Sequence, residues 1–137
     1  IGDCVSFPHV ASGKRLRLES VQNATDQARH VAKTMLGAAE AYDAVAWFWS
    51  DQGERKLQMA GISIGADRRI VSGEPENGAF SVYHFAGERL LAVDSVNKPG
   101  DHMLARRILA AGYNPGEAEI AEGVAALKAG LQAYQAA

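Results

Sequence analysis

Apolar residues recur at three- and four-residue steps from Val21 through Ala24, Ala28, Val31, Ala32, Met35 and Leu36. That spacing predicts an amphipathic helix over about 20–36 with the stripe turned to a core. Ser20 is its candidate N-cap, Gly37 closes it, and His30 falls on the flank of the stripe. Further on the period shortens. Leu57–Ile64 (LQMAGISI) and Arg68–Ser72 (RRIVS) read as strands separated by a turn at Gly65-Ala66-Asp67. The turn-rich GEPENG follows. Phe80–Phe85 then alternates, with Phe80, Val82 and His84 on one face and Ser81, Tyr83 and Phe85 on the other. Gly87 turns the chain tightly, and Leu90–Val96 returns as the partner strand of an antiparallel meander. Pro99 opens a second helix over about 100–111, ended by Gly112. After Asn114-Pro115-Gly116 an alanine-rich helix over about 117–135 carries Ile120, Val124, Leu127 and Leu131 on one side. Residues 1–18 read as strand end and loop, including the basic, alternating KRLRL, taken as a solvated face. The class is α+β: a small antiparallel β-sheet covered by helices.

Composition narrows the function more than the fold. With 137 residues, 47% hydrophobic and 22% charged, the chain matches an ordinary globular protein able to bury a core. A net charge of -2 gives no electrostatic case for nucleic acid. No apolar run reaches the ~20 residues of a membrane-spanning helix. A single cysteine, Cys4, allows no internal disulfide and fits a reducing, cytoplasmic setting. The chain opens on Ile1-Gly2-Asp3-Cys4-Val5, which reads as the end of a strand running into a turn. The expectation is therefore a fragment whose remaining sheet lies upstream.

Candidate chemistry is sparse. Both tryptophans fall in the stretch Ala46–Gln52 (AWFWSDQ), expected to be a loop reached through the linker Ala38–Asp43. Trp47 and Trp49 either plug a core or stack a flat ligand or partner. Gly2-Asp3 offers close backbone approach and a carboxylate able to accept from hydroxyls, or else a simple turn. The helix start Glu19-Ser20-Val21-Gln22 has free amides that favour negative charge, as every helix start does. His9, His30, His84 and His102 are scattered singly, which argues against a histidine metal site. No Ser/His/Asp order, paired catalytic carboxylates or glycine-rich phosphate loop is present.

Several strings taken in order add to this. IGDC at 1–4, RLRLESVQNATDQA at 15–28, AVAWFWSDQ with KLQMAGIS at 44–63, FSVYHF with ERLLAVDSVNKP at 80–99, and ARRILAAG at 105–112 together resemble one family. It comprises the FAD-dependent NADH:ferredoxin reductases of the putidaredoxin, rhodocoxin and biphenyl-dioxygenase type. The resemblance covers nearly the whole chain, fading over the last 20 or so residues. It implies that residues 1–40 are the tail of an FAD-binding domain and 41–137 the reductase C-terminal α+β domain. It further implies that Asp3 holds the ribityl chain of FAD and that the Val21 amide meets the flavin pyrimidine. Trp49, with Trp47 second, would lie near the isoalloxazine and the docking side for a [2Fe–2S] ferredoxin serving an oxygenase or P450. No catalytic residue and no metal ligand is implied within the chain. NADH would bind an upstream domain, so the 137 residues alone are expected to be inactive. Two positions depart from the family pattern: Ala46 stands where proline is usual, and Gly53 where an aromatic commonly follows SDQ. A different class of reading is a non-catalytic dimerisation or interaction module, in which the sheet and last helix form a homodimer. A third is a standalone ligand-binding domain built on Trp47 and Trp49.

Overall fold

Val, Ile, Tyr and Phe at alternate positions drive the second half of the chain into strands, and helices cover one face of the resulting sheet. The computed structural model describes all 137 residues, as two compact units, Ile1–Phe48 and Trp49–Ala137.

In the first unit a 3-10 turn at Gly2–Cys4 leads to β1 (Phe7–His9), which pairs antiparallel with β2 (Lys14–Leu16). Part of the KRLRL stretch, expected to be loop, is thus a strand. A second 3-10 turn at Val10–Ser12 and Gly13, at φ +65°, reverse the chain tightly enough to register Phe7 against Leu16. Helix α1 spans Val21–Met35, and the Ser20 hydroxyl accepts the Asn23 N–H as foreseen. Its buried face, however, is not the apolar stripe. Gln22, Asn23 and Gln27 are buried, whereas Val21, Met35 and Leu36 are 67%, 82% and 89% exposed. The packed segments present N–H and C=O groups to this side of the helix. Buried amides persist only where such groups meet them. Tyr42 packs edge-on against Phe7 and His30, with ring centroids 5.4 and 5.5 Å apart. Burial, then the Asp26 charge, raise its hydroxyl pKa, against a hydrogen bond with Gln22 that lowers it.

A five-stranded antiparallel sheet joins β3 (Trp47–Gln52), β4 (Arg55–Gly61), β5 (Arg68–Glu74), β6 (Ala79–Ala86) and β7 (Arg89–Val96) in the order β3-β4-β7-β6-β5. The expected meander exists in β5–β6–β7. β4 lies beside β7 rather than β5, which makes β4 to β7 a Greek key. The aromatic stretch expected as a loop is the edge strand β3: its consecutive aromatics Trp47, Phe48 and Trp49 favour the extended, pleated backbone. Gly53, at φ +61°, turns the chain between β3 and β4, a conformation that glycine adopts without strain where an aromatic would not.

The second unit's core brings Tyr83, Phe85, Leu90 and Val93 against Leu104, Ala105 and Ile108 of α2 (Pro99–Ala111). Ile120 of α3 (Glu117–Glu122) joins it, as do Leu127 and Leu131 of α4 (Val124–Ala136). The single last helix expected over 117–135 is therefore two. Gly123, at φ +91° and ψ -160°, breaks it, and the change of direction lets Ile120 and Leu127 reach one core. On the opposite face of the sheet His84 is also buried, its Nε2 lying 2.8 Å from Asp94 Oδ2. No helix is long and apolar enough to cross a membrane.

His102, at 2% exposure in α2, makes stability depend on pH. Burial, and secondarily the Arg106 charge, hold its pKa below the ordinary 6.5. Below that value the unfolded chain takes a proton that the folded chain refuses, so this contribution is complete above it. It is lost as pH falls toward the lowered value. Urea midpoints measured from about pH 7.5 to about pH 5 should fall, and the fall should be shallower in His102→Gln.

Candidate functional site

Gly2 takes φ +75°, and a Cβ there would lie 3.4 Å from Ala24 Cβ in the first turn of the helix. The Gly2 N–H donates to the Gln27 side-chain carbonyl at 2.7 Å, a buried bond across 25 residues. Asp3, the next residue, is exposed and so held beside the start of α1 with its carboxylate in solvent.

The helix start has its own unsatisfied groups. The Ser20 hydroxyl takes the Asn23 N–H at 3.1 Å and the Ser20 carbonyl takes the Ala24 N–H at 3.0 Å. The helix itself offers no acceptor to the preceding N–H groups, Val21 and Gln22. Both point along an axis whose N-terminal end carries partial positive charge. With the Val21 side chain exposed, an acceptor group can reach its amide.

Trp47 meets the same turn. Its backbone N–H donates to Gln22 Oε1 at 3.1 Å, and its side chain is half-buried. Ala46, where the family usually has proline, is buried at 3% exposure. Gly2, the neighbour of Asp3, and Trp47 are therefore each tied to α1 by a backbone N–H, Gly2 to Gln27 and Trp47 to Gln22. Trp49 belongs to the other unit. It stands in edge strand β3 with 46% of its surface exposed, next to the polar run Ser50, Asp51 and Gln52.

The residues that sequence reasoning missed are the amides underneath. Gln27 Nε2 donates to Asn23 Oδ1 at 3.1 Å, and Asn23 Nδ2 donates to the Leu18 carbonyl at 2.9 Å. The available signal was the i,i+4 spacing of Asn23 and Gln27, which places two amides on one helix face.

Residues 47–131 match the family model described as Reductase C-terminal. The chain belongs to that family. Rhodocoxin reductase from Rhodococcus erythropolis is 54% identical over 110 residues, 80% of this chain and 26% of the relative. The crystal structure of a ferredoxin reductase for the CYP199A2 system from Rhodopseudomonas palustris matches 94% of this chain, with TM-score 0.87 and 41% identity. That of a covalent putidaredoxin reductase–putidaredoxin complex matches 100%, with TM-score 0.91 and 36% identity. The chain spans about a quarter of rhodocoxin reductase and about a third of the two solved chains. The α+β class read from sequence is the fold these relatives share.

Proposed function

We propose that this chain forms the flavin-side and acceptor-side end of a cytoplasmic, FAD-dependent NADH:ferredoxin reductase. Its electrons would pass to a [2Fe–2S] ferredoxin serving an oxygenase or P450. The observation that carries the reading is that Gly2, next to Asp3, and Trp47 are each bonded to a buried glutamine of α1, the helix that starts at Val21, in a chain whose relatives are ferredoxin reductases.

The donor set fits part of a flavin. Asp3 is an exposed acceptor suited to ribityl hydroxyls, and the Val21 N–H is a donor suited to a ring carbonyl. When bound, FAD supplies hydride acceptance and stepwise electron release. The chain's own residues orient and polarise. The helix end stabilises negative charge at an acceptor facing Val21, by about 0.3–1 kcal/mol in exposed settings. Asp3 fixes the polar tail, and the exposed Trp49 offers a flat apolar surface for a protein partner. A complex of one structural relative with putidaredoxin supports a ferredoxin as that partner.

The test uses the complete flavoprotein that contains this chain. Trp49→Ala should slow ferredoxin reduction about tenfold or more, as losing an interface tryptophan does, and leave the flavin absorption spectrum intact. Unchanged ferredoxin reduction would remove Trp49 from the docking surface. In the same assay the 137-residue chain alone, supplied with FAD and NADH, should sustain no reduction.

A further inference from the structure

The buried face of α1 is made of side-chain amides rather than apolar groups. Fixing one long polar side chain and removing it from water is unfavourable unless its partners are in place. Here every rung is occupied. Gln27 holds the Gly2 N–H with its oxygen and Asn23 with its nitrogen. Asn23 passes the connection to the Leu18 carbonyl ahead of the helix, while its own N–H closes on the Ser20 hydroxyl. One continuous set of bonds thus ties Gly2-Asp3 to the segment that ends at the free Val21 amide. Gln22 repeats the device one turn earlier, holding the Trp47 N–H.

We infer that Gln27, through Asn23, is a positioning residue for flavin binding. It sets the distance between the Asp3 carboxylate and the N-terminal amides of α1, so that both meet one ligand without reorganisation. This rests on the proposed flavin role of Asp3. Gly2 adds an independent constraint: at φ +75°, a Cβ there would already lie 3.4 Å from Ala24 Cβ, so the glycine packs directly against the helix. A generic apolar contact would hold the two segments together; a directional bond from Gly2 to Gln27 also fixes their register. Pre-organisation of this kind increases affinity by removing an ordering cost at binding.

The experiment titrates FAD into the apo form of the complete flavoprotein and follows flavin fluorescence. Asp3→Ala and Gln27→Met, the second nearly isosteric and helix-compatible, should each raise the dissociation constant about tenfold, equivalent to about 1.4 kcal/mol. Because Gln27 acts through Asp3, the double variant should bind like Asp3→Ala alone. Gln27→Glu, which keeps an acceptor for the Gly2 N–H but loses the donor to Asn23 Oδ1, should recover only part of the affinity. Additive effects, or a Gln27→Met that binds normally while Asp3→Ala does not, would overturn the inference and leave the flavin reading intact. Normal binding by Asp3→Ala would overturn both. If Gln27→Met does not fold, amide exchange in the unaltered apo protein decides. The Gly2 N–H should be protected at least about 100-fold before flavin is added, and exchange at the free-peptide rate would refute pre-organisation.

Discussion

Gly61→Ala is expected to cost at least about 3 kcal/mol of folding stability, combining backbone strain with overpacking. Gly61 closes β4 at φ +79°, opposite Ala92 of β7. A Cβ there would lie 2.2 Å from the Leu91 carbonyl oxygen, 2.9 Å from Ala92 Cα and 3.0 Å from Leu109 Cδ1. The first two are backbone atoms inside the sheet and cannot rotate aside. The same Leu91 carbonyl accepts the Ile62 N–H at 3.2 Å, so the clash falls on a bond that ends the β4–β7 ladder. Gly65 provides the control: at φ +94° with nothing within 4 Å of its Cβ position, Gly65→Ala bears only conformational strain, about 1–2 kcal/mol. Urea denaturation of the two variants separates the effects. Equal midpoints would show that the sheet relaxes around a methyl group at residue 61.

Gly61 also marks where local patterning loses its reach. LQMAGISI reads as one strand to Ile64, but the strand stops at the glycine because only a left-handed residue lets the chain leave the sheet there. The same lesson holds in α1. Its length, cap and helical type follow from residues within four positions of one another, and these were legible. Which face is buried depends on Gly2, Leu18 and Trp47 supplying partners to Gln22, Asn23 and Gln27. Periodicity cannot see those partners, so it selected the apolar stripe. The β5–β6–β7 meander was legible because short turns join sequential strands, whereas β4 pairing with β7 crosses about 35 residues and leaves no local trace. The alternation of β6 correctly separated Tyr83 and Phe85 from Val82 and His84. That His84 is buried all the same follows from its bond to Asp94 on β7, another long-range partner. Asp3, the Val21 amide and Trp49, with Trp47 second, were named through family resemblance. That Gly2 and Trp47 are both tied to α1, through Gln27 and Gln22, is a tertiary fact, visible only once those amides are located.

Asp101 offers the second large effect, because it is a carboxylate at 4% exposure whose every partner is polar. Ser81 Oγ lies 2.9 Å from both Asp101 Oδ2 and Ser95 Oγ, and Lys98 Nζ lies 2.9 Å from the same Asp101 oxygen. A carboxylate only accepts, so the one hydroxyl hydrogen of Ser81 goes to Asp101, and Ser95 supplies its own to Ser81. The charge also stands in the first turn of α2, where the helix end favours it. The network therefore links β6, β7 and α2 through a single acceptor. Asp101→Ala strands the Ser81 hydroxyl in a buried place and leaves the Lys98 ammonium without its counter-charge. The expected loss is about 2–3 kcal/mol, set mainly by the buried hydroxyl left without its acceptor, because the Lys98 side chain keeps 29% of its surface in solvent. Ser81→Ala should cost less, about 1–2 kcal/mol, because Asp101 keeps Lys98 and the helix end. The two together should fall short of the sum, since removing Ser81 takes away one of the donors that Asp101→Ala leaves unmatched. Thermal or urea unfolding of the three variants gives the cycle directly. Strict additivity would mean that solvent reaches this cluster and that the bonds between sheet and helix contribute independently.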